Sequence, residues 1–70
     1  MTDCKFWRRR RVTEETGLPA STIYRLMSLG DFPRSIPLGG TTVGWVESEV
    51  RNWMQERIRA RDERQDGEAA

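Results

Sequence analysis

The chain has 70 residues and a formal net charge of +1, with one cysteine and no histidine. A chain of this length forms one small domain, which buries only about 60% of the surface that its unfolded form exposes. The cysteine content permits no internal disulfide, and the lack of histidine argues against a zinc site. No apolar run approaches the roughly 20 residues of a membrane span, and the N-terminal stretch lacks the apolar segment of a secretory signal. We therefore expect a cytoplasmic protein with no membrane segment and no cofactor.

The charges are distributed unevenly along the chain. Residues 1–11 carry a balance of +4, residues 12–46 a balance of −1 and residues 47–70 a balance of −2. A basic N-terminal part beside a mildly acidic C-terminal part indicates one surface that meets a polyanion and another that does not. The consecutive arginines at 8–11 are the source of this asymmetry, with a plain solvated charge run as the alternative. We expect at least one of them to pack its stem on Trp7.

Two short helices are predicted in the first half of the chain. The first should run over Arg9–Thr16 and end at Gly17, with Val12 as its apolar anchor. Pro19 suits the first turn of the second helix, and Gly30 should end it. Helical spacing places three apolar residues of the second helix on one face: Ile23, Leu26 and Met27.

A short β-hairpin is predicted after the second helix. Residues 35–38 and 42–45 contain β-favouring residues and flank a Gly39-Gly40-Thr41 tip, so they can pair as a small wing. Pro37 has no backbone N–H for the ladder and must therefore lie at an edge or a bulge. Trp45 falls in phase with the apolar residues around it, so we expect it in the core rather than stacked on a base.

The last predicted helix runs from near Glu47 to near Arg61, with Glu47 and Arg51 paired one turn apart. Its predicted apolar face consists of Val50, Trp53, Met54 and Ile58. The remaining C-terminal residues have nothing to bury. The predicted organisation is therefore one domain over residues 1–61, followed by a disordered acidic tail over residues 62–70.

A helix, a turn with glycine and a second helix with a polar N-terminal part form a helix-turn-helix pattern. In that arrangement the second helix lies in the major groove of duplex DNA, and its apolar face packs inward. Ser21, Thr22 and Arg25 then face the bases and phosphates, because serine and threonine bond to several base edges and arginine favours guanine. For Tyr24 two roles stay open together, a ring at the margin of the core and a hydroxyl that reaches a phosphate.

Several short motifs have matches in one known family: TGL at 16–18, STIYRLM at 21–27, GDFP at 30–33, LG at 38–39, VGW at 43–45 and SEVRNW at 48–53. Through them, residues 6–61 resemble the AlpA family of phage and prophage regulators. These are small winged-helix proteins related to the excisionase and MerR-type DNA-binding domains. The resemblance implies a mainly α single domain with a small β-hairpin, a winged helix-turn-helix.

The same resemblance implies binding to double-stranded DNA at promoter or attachment-site repeats of an integrated element. The protein would regulate transcription or direct excision, without catalysis. Integrase and RNA polymerase are the implied protein partners, and we expect cooperative self-association on repeated sites. The candidate DNA-binding residues are Arg8, Arg9, Arg10, Arg11, Ser21, Thr22, Tyr24, Arg25, Arg34, Gly40, Thr41 and Thr42.

Three positions depart from the family pattern, since Ala20, Pro37 and Thr41 stand where family members usually carry basic residues. We infer that part of the phosphate contact has moved to the N-terminal arginines. Neutralising about four to six phosphates would give a salt slope of roughly −4 to −5. Because these residues are neutral, the wing tip can alternatively be a plain turn without DNA contact. They also allow a second function, a protein-interaction adaptor that binds integrase or polymerase. An enzyme is disfavoured, because the sequence shows no nucleophile–base constellation, metal cluster or phosphate loop.

Overall fold

A computed structural model describes residues 4–68 of the chain, with side chains described as far as residue 64. The strands form one three-stranded antiparallel sheet in the order β1-β3-β2. With three helices beside it, this sheet gives the predicted class, a mainly helical winged helix-turn-helix. The elements in chain order are β1 (Phe6–Trp7), α1 (Arg9–Thr16), α2 (Ala20–Ser28), β2 (Ile36–Gly39), β3 (Thr42–Val46) and α3 (Glu47–Glu68).

The turn between α1 and α2 has the predicted construction. Gly17 ends α1 in the left-handed region with φ 78°, and its N–H donates to the Thr13 carbonyl at 2.9 Å. Glycine adopts this conformation without the steric cost that a Cβ would add. Pro19 then precedes α2 directly, and its carbonyl accepts the N–H groups of Thr22 and Ile23. The chain therefore reverses between the two helices within residues 17–19.

Gly30 closes α2, as the sequence predicts. It has φ 79°, and its N–H donates to the Met27 carbonyl at 3.1 Å. The Asp31 N–H reaches the Leu26 carbonyl at 2.8 Å, which completes a Schellman motif. These bonds satisfy the last carbonyls of α2 and turn the chain toward α3.

Two indole groups hold the loop between α2 and β2. Trp53 Nε1 donates to the Asp31 carbonyl at 2.6 Å, and Trp45 Nε1 donates to the Pro33 carbonyl at 3.1 Å. Between these two anchor points Phe32 is buried and meets the Trp53 ring edge-on at a centroid distance of 4.8 Å. The loop is therefore fixed against β3 and α3 by its own backbone carbonyls.

The wing consists of β2 and β3, joined through Gly40 and Thr41. Pro37 lies on the edge strand β2, beside a register shift between Pro37 and Gly39, so both predicted positions for a proline apply. Gly39 and Gly40 have φ values of 137° and 55°. Side chains other than glycine rarely adopt these values, so the backbone of this tip favours glycine at both positions.

Strand β1 is the one described element that the sequence analysis does not predict. Phe6 pairs with Val46 and Trp7 with Trp45, which makes β3 the central strand of the sheet. A strand of two residues shows no alternation, because one period of the pattern is its whole length. The sequence signal for β1 is the adjacent apolar pair Phe6 and Trp7, which belongs to no other predicted element.

The buried core takes one side chain from nearly every part of the fold: Trp7, Val12, Ile23, Phe32, Trp45 and Val50. Trp53 and Met54 pack against it from α3, as predicted. Ile58, expected on the same apolar face, is instead 45% exposed. The prediction that Ile58 belongs to the buried face of α3 is therefore wrong.

α3 is longer than predicted, because it continues past Arg61 to Glu68. Residues 62–68 are mostly acidic, arginine and glutamine residues, which have good or moderate helix propensity. Extending a helix whose first turns are already fixed by packing costs far less than starting one. The end predicted near residue 61 is therefore wrong. Residues 69–70 lie outside the described residues, and an acidic tail that is separate from the 1–61 domain stays a prediction.

Candidate nucleic-acid interface

One side of α2 is polar and accessible. Ser21, Tyr24 and Arg25 are exposed, and Thr22 is half-buried. Spacings of three and four residues place the exposed side chains on one side of the helix, while Ile23, which is fully buried, faces the core. The structure thus brings together the candidates of α2 on one surface, with Thr22 at its border.

Ser28 extends this surface by one turn and is absent from the sequence-based candidates. It lies seven residues after Ser21, on the same side of α2, and is exposed. Its Oγ donates to the Arg25 carbonyl at 2.7 Å. The sequence signal for Ser28 is this seven-residue spacing, about two helical turns, which places it on the same side as Ser21.

Tyr24 packs at the margin of the core. Its ring centroid lies 6.3 Å from that of Trp45, with the rings tilted by 57°, and 42% of the residue is exposed. This arrangement confirms the packing role predicted for the ring. It also leaves a large part of the residue accessible on the same side of α2 as Arg25.

The four arginines before Val12 have unequal surroundings. Arg10 Nε lies 3.5 Å from a Glu14 carboxylate oxygen, and Arg11 Nε lies 2.9 Å from a Glu15 carboxylate oxygen. Arg8 and Arg9 are exposed and make no ion pair with any residue whose side chain is described. Half of the basic run is therefore neutralised by its own helix, and the half at the start of α1 is not.

Arg34 is exposed on the loop that follows α2, apart from the polar face of that helix. It lies at a groove between this loop and α3, which acidic side chains also line. Within the part of the chain with described side chains it forms no ion pair. The acidic residues of that groove are Asp31, Glu49 and Glu56.

The wing tip is accessible but carries no cation. Gly40 and Thr41 are exposed and Thr42 is half-buried. The tip therefore offers backbone N–H groups and threonine hydroxyls, which are the groups that contact phosphate oxygens without reading the sequence.

The helix termini differ in electrostatic character. Neither α1 nor α2 has an acidic residue in its first turn or a side-chain cap, whereas α3 begins with Glu47 and Glu49. The first N–H groups of a helix carry a partial positive charge that favours anions. At the N-termini of α1 and α2 this partial positive charge is uncompensated. At the N-terminus of α3 the two glutamates of the first turn offset it.

Chemistry of other kinds finds little support in the described residues. Among them there is no group of three or more histidine, cysteine, aspartate or glutamate side chains that could hold a metal ion. No described helix combines the length and the apolar character needed to span a membrane. Cys4 is a free, exposed thiol.

Comparisons with known proteins agree on one family. The model of the family described as prophage CP4-57 regulatory protein (AlpA) matches residues 5–58, which include β1 and the packed part of α3. The chain is 44% identical over 61 residues to the uncharacterized protein ORF88 of Enterobacteria phage P4, with 87% of this chain and 69% of that protein covered. It is 32% identical over 54 residues to the DNA-binding transcriptional activator AlpA of Escherichia coli (strain K12), with 69% of this chain and 77% of that protein covered.

Proposed function

The chain belongs to the AlpA family of prophage regulatory proteins, and we propose that it is a sequence-specific DNA-binding protein of a phage or an integrated element. It regulates transcription, directs excision, or does both, by inserting α2 in the major groove with the wing beside it. The observation that carries this proposal is the accessible polar face of α2, on which Arg25 has no described ion-pair partner.

The geometry of α2 suits a recognition helix. Ile23 is fully buried, so the helix is held by one face while the opposite face stays accessible. Arginine forms a bidentate pair with guanine O6 and N7, and serine accepts or donates to several base edges. Ser21 and Arg25 supply these groups near the start and the middle of the helix, which is where a helix-turn-helix protein contacts base edges.

Phosphate contacts come from groups around this helix. The free N-termini of α1 and α2 and the hydroxyls at the wing tip fit such contacts, and four arginines lack a described ion-pair partner: Arg8, Arg9, Arg25 and Arg34. With Arg25 directed at a base, the other three arginines neutralise three phosphates and give a salt slope of about −2.7. This slope is shallower than the sequence alone suggests, because it leaves out Arg10 and Arg11, which pair with glutamates of their own helix.

The size of the domain favours binding at repeated sites. A single DNA-binding module of this kind buries on the order of 600–1,000 Å² of protein surface. One recognition helix contacts only a few base pairs, so several copies on adjacent half-sites supply the specificity. We propose direct or inverted repeats in a promoter or an attachment site as the target.

A second candidate function is a protein-interaction adaptor that binds integrase or RNA polymerase. It is favoured by α3, where every described side chain from residue 55 to residue 64 is exposed, including the apolar Ile58. The absence of a cation at the wing tip also points this way. In this role the winged-helix scaffold presents α3 to a protein, and DNA contacts are secondary.

Footprinting on the DNA that flanks its own gene tests the two functions against each other. We expect salt-sensitive protection of repeated half-sites. If circular dichroism shows that the protein is folded and it still protects no duplex, the DNA-binding function is contradicted. Retention of integrase or polymerase on the immobilised protein after nuclease treatment would then support the adaptor.

A further inference from the structure

Trp7 lies at the junction of the three elements that fix the start of α1. It pairs with Trp45 in the sheet, is only 5% exposed and directly precedes Arg8, the N-cap residue of α1. Just before β1, the Lys5 carbonyl accepts the Glu47 N–H at 2.8 Å, which ties the start of this strand to the first residue of α3. The position of Trp7 therefore sets where Arg8 and Arg9 leave the body of the domain.

Two guanidinium groups lie over the indole ring of Trp7. The Arg11 Cζ is 5.0 Å from the ring centroid, and the Arg51 Cζ is 5.2 Å from it. Guanidinium groups within about 6 Å of an indole centroid are attracted by the ring quadrupole. The sequence analysis expects an arginine to pack on Trp7, and Arg11 does so with its guanidinium group.

Each guanidinium is also held by a glutamate one turn away on its own helix. Arg11 Nε donates to Glu15 Oε2 at 2.9 Å, and Arg51 Nε donates to Glu47 Oε2 at 2.8 Å. The same three-part arrangement of glutamate, arginine and ring thus occurs once on α1 and once on α3. In both, the Nε donor and one face of the guanidinium are engaged within the protein, so a phosphate would have to share the group with these partners.

We infer that Arg11 is a positioning residue and not a DNA contact, and that the Arg11–Trp7–Arg51 stack holds Arg8 and Arg9 at the position where they meet phosphate. This inference rests on the proposed function. Within the basic run, it assigns phosphate binding to Arg8 and Arg9 at the start of α1. It assigns stacking on Trp7 to Arg11. It also gives Arg51, far along the chain, a part in DNA binding without contact to DNA.

The test compares substitutions at Arg11 and Arg51 with the same substitutions at Arg9, which has no described partner. Binding is measured on a duplex that the wild-type protein selects from a random pool, over a range of salt concentrations, and affinities are corrected for the folded fraction. We expect Arg11→Ala and Arg51→Ala to lower the affinity about two- to fivefold, the factor that corresponds to a cation–π contact at an exposed site. We expect both variants to keep the wild-type salt slope.

Lysine substitutions add a second comparison. Lysine keeps the charge that a phosphate needs and can still pair with Glu15, but it loses the planar group that stacks on the indole ring. We therefore expect Arg11→Lys to recover only part of the affinity that Arg11→Ala loses, and Arg9→Lys to bind like the wild-type protein. Arg9→Ala should make the salt slope shallower by about 0.9.

Two results would overturn the inference. A shallower slope for Arg11→Ala would make Arg11 a phosphate contact. An unchanged affinity of the folded fraction in Arg11→Ala and Arg51→Ala, with only a lower melting temperature, would make the stack structural and nothing more. Failure of the wild-type protein to select or bind any duplex would instead contradict the proposed function itself.

Discussion

The two arginine-rich parts of the molecule, residues 8–34 and α3, differ in what their guanidinium groups contact. In residues 8–34 four of the six arginines make neither an ion pair nor a ring contact with a described residue. In α3 three of the five make an ion pair or a ring contact on their own helix. These are Arg51 with Glu47 at 2.8 Å, Arg61 with Asp62 at 2.8 Å and Arg57 over the Trp53 ring at 5.2 Å.

This difference shows that local partners, more than the number of cations, decide which surface attracts a polyanion. α3 also carries acidic side chains in its first turn and further along one side, which repel phosphate near its arginines. The helices α1 and α2 have no acidic residue in the first turn, so their dipoles and free arginines act in the same direction. This contrast supports the proposal that the first part binds DNA and that α3 is directed away from it.

The largest expected effect is the loss of the core that both parts share. Trp45 is fully buried, and its Nε1 donates to the Pro33 carbonyl. We expect Trp45→Ala to lower the free energy of unfolding by about 3–5 kcal/mol, which leaves little folded protein in so small a domain. Urea unfolding followed by circular dichroism measures this. Trp45→Phe is the control, because it keeps an aromatic ring in the core and loses only part of the indole volume and the bond to the loop. Equal stability of Trp45→Ala and the wild-type protein would contradict this core.

A smaller effect is expected at the turn that orients α2 against α1. Gly17 has φ 78°, and an added Cβ would meet no atom within 4 Å, so the penalty of a side chain there is one of backbone conformation alone. We expect Gly17→Ala to cost about 1 kcal/mol of stability, and Gly17→Asn to cost less, since asparagine tolerates the left-handed region. Thermal unfolding of the two variants measures the difference. Equal losses in both would show that the turn is under no backbone constraint.

The comparison between the two parts is sharpened by removing one arginine from each. Arg9→Ala should make the salt slope shallower by about 0.9, which reduces the affinity loss between 50 and 200 mM salt from about 40-fold to about 12-fold. Arg59→Ala, an exposed position on α3, should leave the slope unchanged. Titrations of both variants on one duplex measure this. A change in slope for Arg59→Ala equal to that for Arg9→Ala would place α3 on the DNA as well.

The smallest expected effect concerns Ser28, the residue that the structure adds to the polar face of α2. Ser28→Ala removes an exposed hydroxyl, so we expect a stability change within about 0.5 kcal/mol. On the selected duplex we expect an affinity loss of about fivefold, because one neutral hydrogen bond contributes about 1 kcal/mol. The binding titration measures this affinity loss. An unchanged affinity of Ser28→Ala would mean that the DNA-contacting part of α2 ends at Arg25.

Most of the fold was predictable because glycine and proline mark its boundaries. Gly17, Pro19 and Gly30 gave the bounds of α1 and α2, and Pro37 gave the edge position of β2. The failures have a common physical origin in missing tertiary information. Strand β1 is too short to show a pattern, and the end of α3 depends on helix extension without packing.

The candidate site was predictable in part. Helical spacing is enough to place Ser21 and Arg25 on one accessible face, because the buried position of Ile23 fixes the opposite one. The basic run could not be divided from sequence alone. Whether Arg10 and Arg11 pair with Glu14 and Glu15 or with a ligand depends on rotamers and on the position of Trp7, which the sequence pattern does not specify.

The central claim, that the exposed face of α2 reads DNA, is tested most directly by titrating wild-type protein and Arg25→Ala against the selected duplex and a scrambled duplex of the same composition. Arg59→Ala serves as the matched control. We predict that Arg25→Ala lowers the ratio of specific to scrambled affinity about 5- to 150-fold, the discrimination expected from one bidentate arginine–guanine pair. Arg59→Ala should keep the wild-type ratio. An unchanged ratio in folded Arg25→Ala would contradict the claim and direct attention to α3 as a protein-binding surface.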